Sequence, residues 1–385
     1  MVFSLRISDP GGITMTTEER AYWVAFNHIR GVGYARVQRM IKAFGNLQSA
    51  WEASRSGLTA AGLDERTTEV IVSGRSQIDP ELLLDRCVQR RIRVLIWEDA
   101  DYPVRLKELP APPPVLYLKG TLREADNLSA AVVGTRKATT YGREVTRIFA
   151  SALASSCVTV VSGMARGIDA EAHTAALERH GRTLAVFGCG VDVDYPPEHA
   201  HLARRIEESG ALLSDYPPGT PPDAVNFPPR NRIIAGLSMA TLVVEAGEES
   251  GALLTASYAA DYGRDVFAVP GSVLGESSRG CNRLIASGAQ VAASPEEFLS
   301  ALDLNRTGPS IQMRMAIPES PVEAKILNAL SSEPTHIDLL KTKVGLPVEE
   351  VSGALAMMEL KGMVRPVGGM QYIALRTVYS GETRD

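Results

Sequence analysis

The sequence lacks the features that mark several large classes of protein. No run of about 18 apolar residues occurs, so no segment predicts a membrane-spanning helix. The opening stretch, MVFSLRISDPGG, lacks the charged-then-apolar order of a signal peptide. The four cysteines, Cys87, Cys157, Cys189 and Cys281, show no CxxC spacing, which argues against a disulfide framework and against a zinc site. These absences favour a cytoplasmic protein with no membrane partner and no metal.

Motifs for common nucleotide cofactors are also missing. There is no GxGxxG followed by an acidic residue about 20 positions later, and no GxxxxGK[ST], so we expect no cofactor of either kind. The formal net charge of −5 does not indicate a nucleic-acid binder. Residues 16–60 carry six Arg and Lys against three Glu, whereas residues 129–300 carry 14 basic against 19 acidic side chains. A polyanion site in the central region must therefore depend on cations concentrated in a few loops.

Three segments place glycines and arginines where a strand gives way to a helix. They read AVVGTRKATTYG at 131–142, VSGMARGIDAEAHTAAL at 161–177 and FPPRNRIIAG at 227–236. Backbone N–H groups of such turns, close to helix N-termini, favour anions, and guanidinium groups bind phosphate in a fork. An aromatic beside two arginines suits a stacked base next to its backbone. Taken singly, each glycine loop also occurs for packing alone, but together the three predict a phosphate-binding rim.

The candidate single-stranded DNA-binding residues all come from these three segments. They are Gly134, Thr135, Arg136, Lys137, Ser162, Gly163, Arg166, Gly167, Phe227, Arg230, Asn231 and Arg232.

The central part of the chain alternates strands and helices. Strands are expected near 130, 158, 183, 211, 240, 265 and 289, with helices near 141, 168, 198, 230, 252, 281 and 295, which predicts a parallel sheet with right-handed crossovers. Two short strands between residues 92 and 120 bracket a proline-rich crossing. The fold class is thus α/β: a Rossmann-like parallel sheet domain over 86–305, between two smaller modules. Residues 1–15 are expected to be a disordered leader, in which Met15 competes with Met1 as the initiator.

The flanking modules are helical. Residues 16–85 resemble a helix-hairpin-helix or SAM-like module, because a Gly-x-Gly turn separates two amphipathic helices. Arg30, Gly31, Gly33 and Arg36 are its candidate accessory DNA contacts, and packing or protein interaction is the alternative. After a linker over 306–320, residues 321–376 predict a winged helix, with Gly368 and Gly369 at the wing tip and a tail over 377–385. Its third helix opens on Glu349 and Glu350, which favours docking to a protein at least as much as to DNA.

The motifs in this order resemble the DNA-processing protein DprA (Smf) family of bacteria. The resemblance runs from YPVRLKELPAPPPVLYLKG through GTR, SGMARGIDAEAH, FGCGVDVDYPPEH, FPPRNRIIAGLS, VVEAGEESGALLTA and GRDVFAVPG to the winged helix. It implies a non-enzymatic protein that binds and protects single-stranded DNA during natural transformation. It also implies loading of the RecA recombinase in place of single-strand binding protein, a candidate further partner, and a homodimer formed through the Rossmann-like domain.

Carried over to this chain, the family's basic pocket falls on five residues: Arg136, Arg166, Phe227, Arg230 and Arg232. Lys137 is not fixed by the motif, and its assignment rests on charge alone. In DYPPEH this chain has His199 where the family commonly has asparagine. A solvated histidine at a helix start is the favoured interpretation, with small effects on binding.

Two other functions remain open on the same fold. A nucleoside-monophosphate phosphoribohydrolase is disfavoured, because the sequence EAGEESGALLTASY puts Leu254 and Tyr258 where the PGGxGTxxE motif has glycine and the catalytic glutamate. Glu245 and Glu248 lie nearby, but no second residue at the spacing of a catalytic pair accompanies them. We therefore expect no catalytic residues. A small-nucleotide sensor is the stronger alternative, because phosphate-binding loops do not report the length of the ligand.

Overall fold

The computed structural model describes residues 17–304, 320–330, 335–360, 364–367 and 369–374. The expected leader, the linker up to residue 319, the wing-tip residue Gly368 and the tail lie outside these ranges. The described chain divides into two compact units, one comprising 17–304 and the other the residues from 320 onward.

The first unit begins with six helices. Four of them start after an Asn, Ser or Asp whose side chain accepts a hydrogen bond from an N–H of the first turn, which is the usual way to satisfy the free donors there. The sixth also has proline at its first position. The helices are α1 (Thr17–His28), α2 (Tyr34–Phe44), α3 (Leu47–Glu52), α4 (Arg55–Ala60), α5 (Glu65–Arg75) and α6 (Pro80–Gln89). The predicted hairpin between two helices is confirmed at residues 29–33, between α1 and α2.

A nine-stranded sheet follows, in the order β1-β2-β6-β5-β4-β3-β7-β8-β9. From β6 to β9 all neighbours are parallel, whereas β2 runs antiparallel to both β1 and β6. The strands are β1 (Arg93–Ile96), β2 (Val115–Gly120), β3 (Ser129–Val133), β4 (Thr159–Ser162), β5 (Thr183–Val186), β6 (Ala211–Ser214), β7 (Ala240–Val243), β8 (Asp265–Ala268) and β9 (Gln290–Val291).

Helices connect these strands in the predicted alternation. They are α7 (Val104–Lys107), α8 (Thr140–Ser155), α9 (Ile168–Glu178), α10 (Ala200–Ser209), α11 (Phe227–Leu237), α12 (Gly251–Asp261), α13 (Arg279–Ala286) and α14 (Pro295–Leu304). The strands β3 to β7 are buried along their whole length, as expected for parallel strands covered on both faces. The predicted Rossmann-like architecture is confirmed.

The helical module and the sheet share one hydrophobic core. Val94 and Ile96 of β1 and Tyr117 of β2 pack in the same cluster as the buried side chains of α1 to α6. Arg20 of α1 also makes a two-pronged ion pair with Asp99, at 2.6 and 2.7 Å. Because of this shared core, removal of residues 1–85 would expose one face of β1 and β2. Point substitutions are therefore better probes of the module than the deletion.

The second unit contains three helices and a small sheet. The helices are α15 (Pro321–Ala329), α16 (Ile337–Val344) and α17 (Val348–Leu360), and the strands are β10 (Thr335–His336), β11 (Val364–Pro366) and β12 (Gln371–Ala374), in the order β10-β12-β11. This is the predicted winged helix. As expected, Glu349 and Glu350 are exposed on the first turn of its third helix.

Candidate nucleic-acid interface

A narrow cleft, open to solvent, lies where the loops after β3, β4 and β5 meet α11. Ligands of open α/β sheets bind at the carboxyl ends of the strands, because the loops that leave the strands converge there. We call it the rim cleft. Its lining residues are Arg136, Gly163, Met164, Ala165, Arg166, Phe187, Gly188, Cys189, Tyr195, Pro196, Phe227 and Arg230.

Glycines in the loop after β3 and in the loop after β4 allow the backbones of these two loops to approach very closely. Gly167 has φ +78° and ψ −124°, a positive-φ conformation that glycine adopts readily, and a Cβ there would collide with the carbonyl oxygen of Thr135. The N–H of Ile168 donates to that same oxygen at 3.2 Å. At Gly134 a Cβ would lie 2.8 Å from the Glu245 carbonyl oxygen. These contacts bring the loop that carries Arg136 against the loop that carries Arg166.

Several backbone N–H groups expected to face an anion are bonded within the protein. The Thr135 N–H donates to the Glu245 carbonyl oxygen at 2.7 Å. The N–H groups of Gly163 and Ala165 donate to Asp169 Oδ2 at 3.2 and 3.3 Å. The expectation that these amides cradle phosphate is therefore wrong at the three positions, and positive charge at the cleft comes from side chains.

Two buried carboxylates, which the sequence reasoning did not assign to the site, build these loops. Asp169 lies in the first turn of α9, where desolvation by burial raises the pKa of its carboxyl group. Glu245 follows β7 and accepts a hydrogen bond from the Thr139 N–H at 2.9 Å, at the start of α8. Its carboxylate therefore occupies the N-terminus of α8, a position that favours negative charge. The sequence predicts that a phosphate binds at such helix N-termini. Asp169 lies in the RGID motif and Glu245 lies in the EAG motif. These motifs were the signal by which the sequence could have indicated the two carboxylates.

Arg230 forms the floor of the cleft. It is 4% exposed, and its Nη1 donates to the carbonyl oxygen of Gly163 at 2.7 Å and to that of Val186. The Gly163 carbonyl directly follows β4, and the Val186 carbonyl belongs to the last residue of β5. One guanidinium group therefore bonds to the ends of two strands. Desolvation by burial lowers the pKa of Arg230 to about 10, partly opposed by the charge of Asp169. The side chain therefore stays protonated at neutral pH.

Helix geometry separates the residues of the FPPRNR segment. Each residue of an α-helix advances about 100°, so Arg232 points away from Arg230, which shares a face with Phe227. Arg232 bonds to the Ala111 carbonyl oxygen at 2.8 Å and to Asp215 Oδ2 at 2.7 Å, away from the cleft lining. Asn231 donates to the Gly251 carbonyl oxygen at 3.1 Å. The structure thus leaves one of the two arginines at the cleft.

Phe227 is half-buried rather than fully exposed. Its ring lies 5.4 Å from that of Tyr195, and the guanidinium carbons of Arg136 and Arg230 lie 5.4 and 5.9 Å from its centroid. These distances are in the range of cation–π contacts. Tyr195 was missed by the sequence reasoning, although an aromatic residue within the DYPPEH motif was a usable signal. The aromatic pair and Arg230 form the inner part of the rim cleft, and Arg136 lies over the Phe227 ring at its mouth.

Arg136 and Arg166 differ in their partners. Arg136 is exposed, and within the described chain its recorded contact is the Phe227 ring. Arg166 is exposed but bonds through Nε to Glu198, and this hydrogen bond raises the pKa of Arg166 and lowers the pKa of Glu198. His199, next in sequence, is half-buried with Nδ1 3.1 Å from the Met164 carbonyl oxygen. It therefore lies at the start of a helix, as predicted, but it also contacts the cleft loop and is only partly solvated.

Five of the twelve candidate residues, all within the described chain, line the rim cleft: Arg136, Gly163, Arg166, Phe227 and Arg230.

The other candidates support the cleft loops or lie beside them. Ser162 is buried in β4, where its hydroxyl donates to the Val132 carbonyl oxygen at 2.7 Å. Thr135 Oγ1 accepts from the Lys137 N–H at 3.2 Å, whereas the Lys137 side chain is exposed next to Arg136. Gly134 and Gly167 act through their backbone, as described above.

The candidate contacts of the helical module are partly engaged. Arg36 donates to the Gly31 carbonyl oxygen at 2.6 Å and to Asp64 Oδ2 at 3.0 Å. Hydrogen bonds from Thr67, and then from Arg36, hold the pKa of Asp64 well below its usual range. Arg30, Gly31 and Gly33 are exposed at the hairpin. The charge of Arg36 is therefore offset locally, which weakens the case for this residue as a phosphate contact.

The described residues contain no cluster of three or more His, Cys, Asp or Glu side chains suited to a metal ion. Within the same ranges, no helix combines the length and the apolar character needed to cross a membrane.

Protein-family models match two long segments of this chain. The family model for DNA recombination-mediator protein A matches residues 93–303, and the model for the DprA winged helix domain matches residues 313–370. Protein Smf of Synechocystis is 38% identical over 93% of this chain and 99% of its own length, and Protein Smf of Escherichia coli is 40% identical over 73% and 77%.

Two solved structures are also similar. The X-ray structure of DNA processing protein A from Streptococcus pneumoniae has a TM-score of 0.65 and 34% identity, and the match covers 73% of this chain and 97% of that one. A DNA processing protein A from Helicobacter pylori, whose structure concerns its single-stranded DNA binding mode, has a TM-score of 0.51 and 29% identity, and the match covers 56% and 97%.

Proposed function

The chain belongs to the DNA recombination-mediator protein A (DprA) family of DNA-binding proteins, and from this premise we propose that it binds single-stranded DNA in the rim cleft. The observation that carries the proposal is the pairing of an apolar, aromatic interior with exposed arginines at the mouth. Tyr195, Phe187 and Phe227 suit an unpaired base, and Arg136 and Arg166 suit the phosphates on either side of it. A base inside a duplex cannot enter such a cleft without being unstacked.

The buried floor supports the same proposal. Arg230 holds the ends of β4 and β5, so the walls of the cleft are preorganised before DNA arrives. A guanidinium group has five N–H donors, so Arg230 can also offer one to an oxygen or nitrogen of the base. Lys137, exposed next to Arg136, adds a further cation for the strand outside the cleft.

We further propose a role in DNA processing during natural transformation and recombination, with protection of the strand and loading of the RecA recombinase in place of single-strand binding protein. These roles are proposed from the family, together with a homodimer formed through the Rossmann-like domain. A dimer would present two clefts to one strand and raise affinity through effective concentration. Sedimentation of the full chain should show a dimer at micromolar concentration, and addition of the protein should speed RecA filament formation on covered strands.

No catalytic role is part of the proposal. The Glu245 carboxylate caps α8, and Tyr258, at the position of the hydrolase glutamate, has its ring 6.0 Å from that of Tyr262. A small-nucleotide sensor is the second candidate, because the aromatic and cationic lining of the cleft suits the base and phosphate of one nucleotide as well as those of a strand.

Competition binding separates these candidates. A labelled single strand is challenged with unlabelled single strand, duplex and mononucleotide at two salt concentrations. We expect the single strand to compete well, duplex at matched nucleotide concentration to compete poorly, and mononucleotide to compete only in large excess. If duplex competes as well as the single strand, the single-strand proposal is wrong. If mononucleotide competes as well as the single strand, the sensor is favoured.

Arg136→Ala should weaken single-strand binding by about 1.5–3 kcal/mol, because a charge-assisted contact with phosphate is lost. The free energy of unfolding should stay unchanged, since the guanidinium group is exposed. Fluorescence anisotropy titration and urea unfolding measure the two quantities. Arg179→Ala, which removes an exposed arginine at the opposite end of α9, is the matched control and should bind normally. A variant that loses stability together with affinity would indicate a packing role for the loop.

Glu198→Gln should strengthen single-strand binding a few-fold. The Glu198 carboxylate pairs with Arg166 in the free protein. A phosphate must displace this carboxylate before the phosphate can pair with the Arg166 guanidinium group. With the carboxylate gone, one more phosphate is neutralised, so the slope of log K against log salt should steepen by about 0.7. Glu208→Gln, which removes an exposed carboxylate further along α10, should change neither quantity. Equal effects of the two substitutions would show that general charge, rather than the Arg166 pair, is responsible.

A further inference from the structure

Tyr141 is an exposed aromatic residue with a fixed position next to the rim cleft. It is 52% exposed in the first turn of α8, five residues after Arg136. The buried face of this helix carries Gly142, Thr146 and Phe149, so the Tyr141 ring takes no part in the core. Its hydroxyl donates to the Pro270 carbonyl oxygen at 3.2 Å, which attaches the ring to the loop after β8. The ring therefore presents a surface to solvent at a defined place on the rim.

The loop that holds Tyr141 carries an unusual apolar tip. Val273 and Leu274, three and four residues after Pro270, are 82% and 88% exposed. Single exposed apolar residues are common on protein surfaces, but these two are adjacent and lie on the loop to which the Tyr141 hydroxyl is hydrogen-bonded. Ser272, next to them, is also exposed.

The charges around Tyr141 and this loop tip indicate what they bind. Lys137, Arg143 and Arg279 are exposed, and within the described residues no ion pair is recorded for any of them. Lys137 lies on the loop of Arg136, Arg143 lies two residues after Tyr141, and Arg279 begins α13, next to Ser278, which packs on Gly271. An exposed aromatic ring, with exposed cations and apolar residues on the same helix and loops, has the composition of surfaces that bind single strands through stacked bases and phosphates.

We propose that Tyr141 and the loop tip Val273–Leu274 form a second base-binding subsite, where the strand that leaves the rim cleft stacks a base on the Tyr141 ring. The inference rests on single-strand binding in the cleft and extends it across the carboxyl edge of the sheet, from the loop after β3 to the loop after β8. The strand order β4-β3-β7-β8 places these loops along one rim.

The test compares strands of two lengths on the full-length protein. We expect a trinucleotide to occupy the rim cleft alone, with one base inside and a phosphate on either side, whereas a strand of about twelve nucleotides also reaches the subsite. Tyr141→Ala should weaken binding of the longer strand about ten-fold, the effect of one lost base stack, and leave the trinucleotide unaffected. Tyr141→Phe keeps the ring and should bind both strands like the wild type. Ile148→Ala, an exposed apolar residue on the same helix about 10 Å further from the rim, is the matched control.

A spectroscopic readout locates the stacked base. 2-Aminopurine is placed at successive positions of the longer strand, and its fluorescence is quenched where it stacks. Wild type and Ile148→Ala should show a quenched position outside the cleft that Tyr141→Ala loses. If Tyr141→Ala binds the longer strand as tightly as the wild type, or if Tyr141→Phe loses as much as Tyr141→Ala, the stacking subsite is overturned while the cleft proposal stands. If the wild type binds neither strand, the cleft proposal itself has failed.

Discussion

Arg230→Met is expected to lower the free energy of unfolding by about 3 kcal/mol and to abolish single-strand binding in the accessible concentration range. The substitution removes the donor shared by the Gly163 and Val186 carbonyl oxygens, and each buried acceptor left without a donor costs about 1–3 kcal/mol. Relief of the desolvation that burial imposes on the guanidinium group offsets part of this loss. With the ends of β4 and β5 no longer tied, the walls of the rim cleft lose their fixed separation.

The loss of stability should depend on pH. Burial already raises the pKa of Asp169 above its ordinary value of 3.8, and the charge of Arg230 opposes that rise. Without the arginine the pKa rises further in the folded state, so the folded protein binds more protons than the unfolded one over a wider pH window. Stability then falls as pH increases through this window. The deficit of Arg230→Met should accordingly be smaller near pH 4 than near pH 7, as measured by urea unfolding at both values.

Arg232→Met provides the comparison within the same helix. Its guanidinium group bonds to Ala111 and Asp215 on the other side of α11 and is 21% exposed. We expect a smaller loss of stability, because water can replace part of the lost hydrogen bonding, and we expect nearly normal DNA binding. If Arg232→Met abolishes binding while Arg230→Met does not, the division of roles within the FPPRNR segment is the reverse of the one inferred here.

The sequence could predict the elements and the loops because their signals are local. Alternation of buried strands and amphipathic helices determined the architecture, and the glycine-rich exits of β3 and β4 indicated the edge where the cleft lies. Membership of Arg136 and Phe227 in the site also followed from local motifs. These properties depend on residue type and spacing along the chain, which the sequence states directly.

The partners of each side chain could not be predicted, because they come from distant parts of the chain. Glu245 lies more than 100 residues from Thr139, whose N–H it binds, and the Arg36 charge is offset by Asp64, which precedes α5. Arg230 and Arg232 look equivalent in sequence, but the helix directs one to the cleft and the other to Asp215. Which arginine is free to bind a phosphate is therefore decided by tertiary contacts.

Gly167→Ala is expected to destabilise the protein by about 3 kcal/mol and to weaken single-strand binding as well. Two costs combine: the positive-φ backbone at φ +78° and ψ −124°, about 1–3 kcal/mol for a residue with a Cβ, and the collision of that Cβ with the Thr135 carbonyl oxygen, a further cost of about 1–3 kcal/mol. Gly263→Ala isolates the first cost, because Gly263 also has positive φ but has no atom within 4 Å of the added Cβ. Urea unfolding and anisotropy titration of both variants give the comparison.

The contrast between the two glycines tests how the cleft is built. The Thr135 oxygen that meets the new Cβ belongs to the residue before Arg136, so relief of the collision must move the Arg136 loop away from the loop of Arg166. Gly263→Ala should cost about 1 kcal/mol and leave DNA affinity unchanged, since the strain stays in its own turn. If Gly167→Ala loses stability but keeps full affinity, the spacing of the two arginine loops is not what positions the phosphates, and the contacts must come from each loop independently.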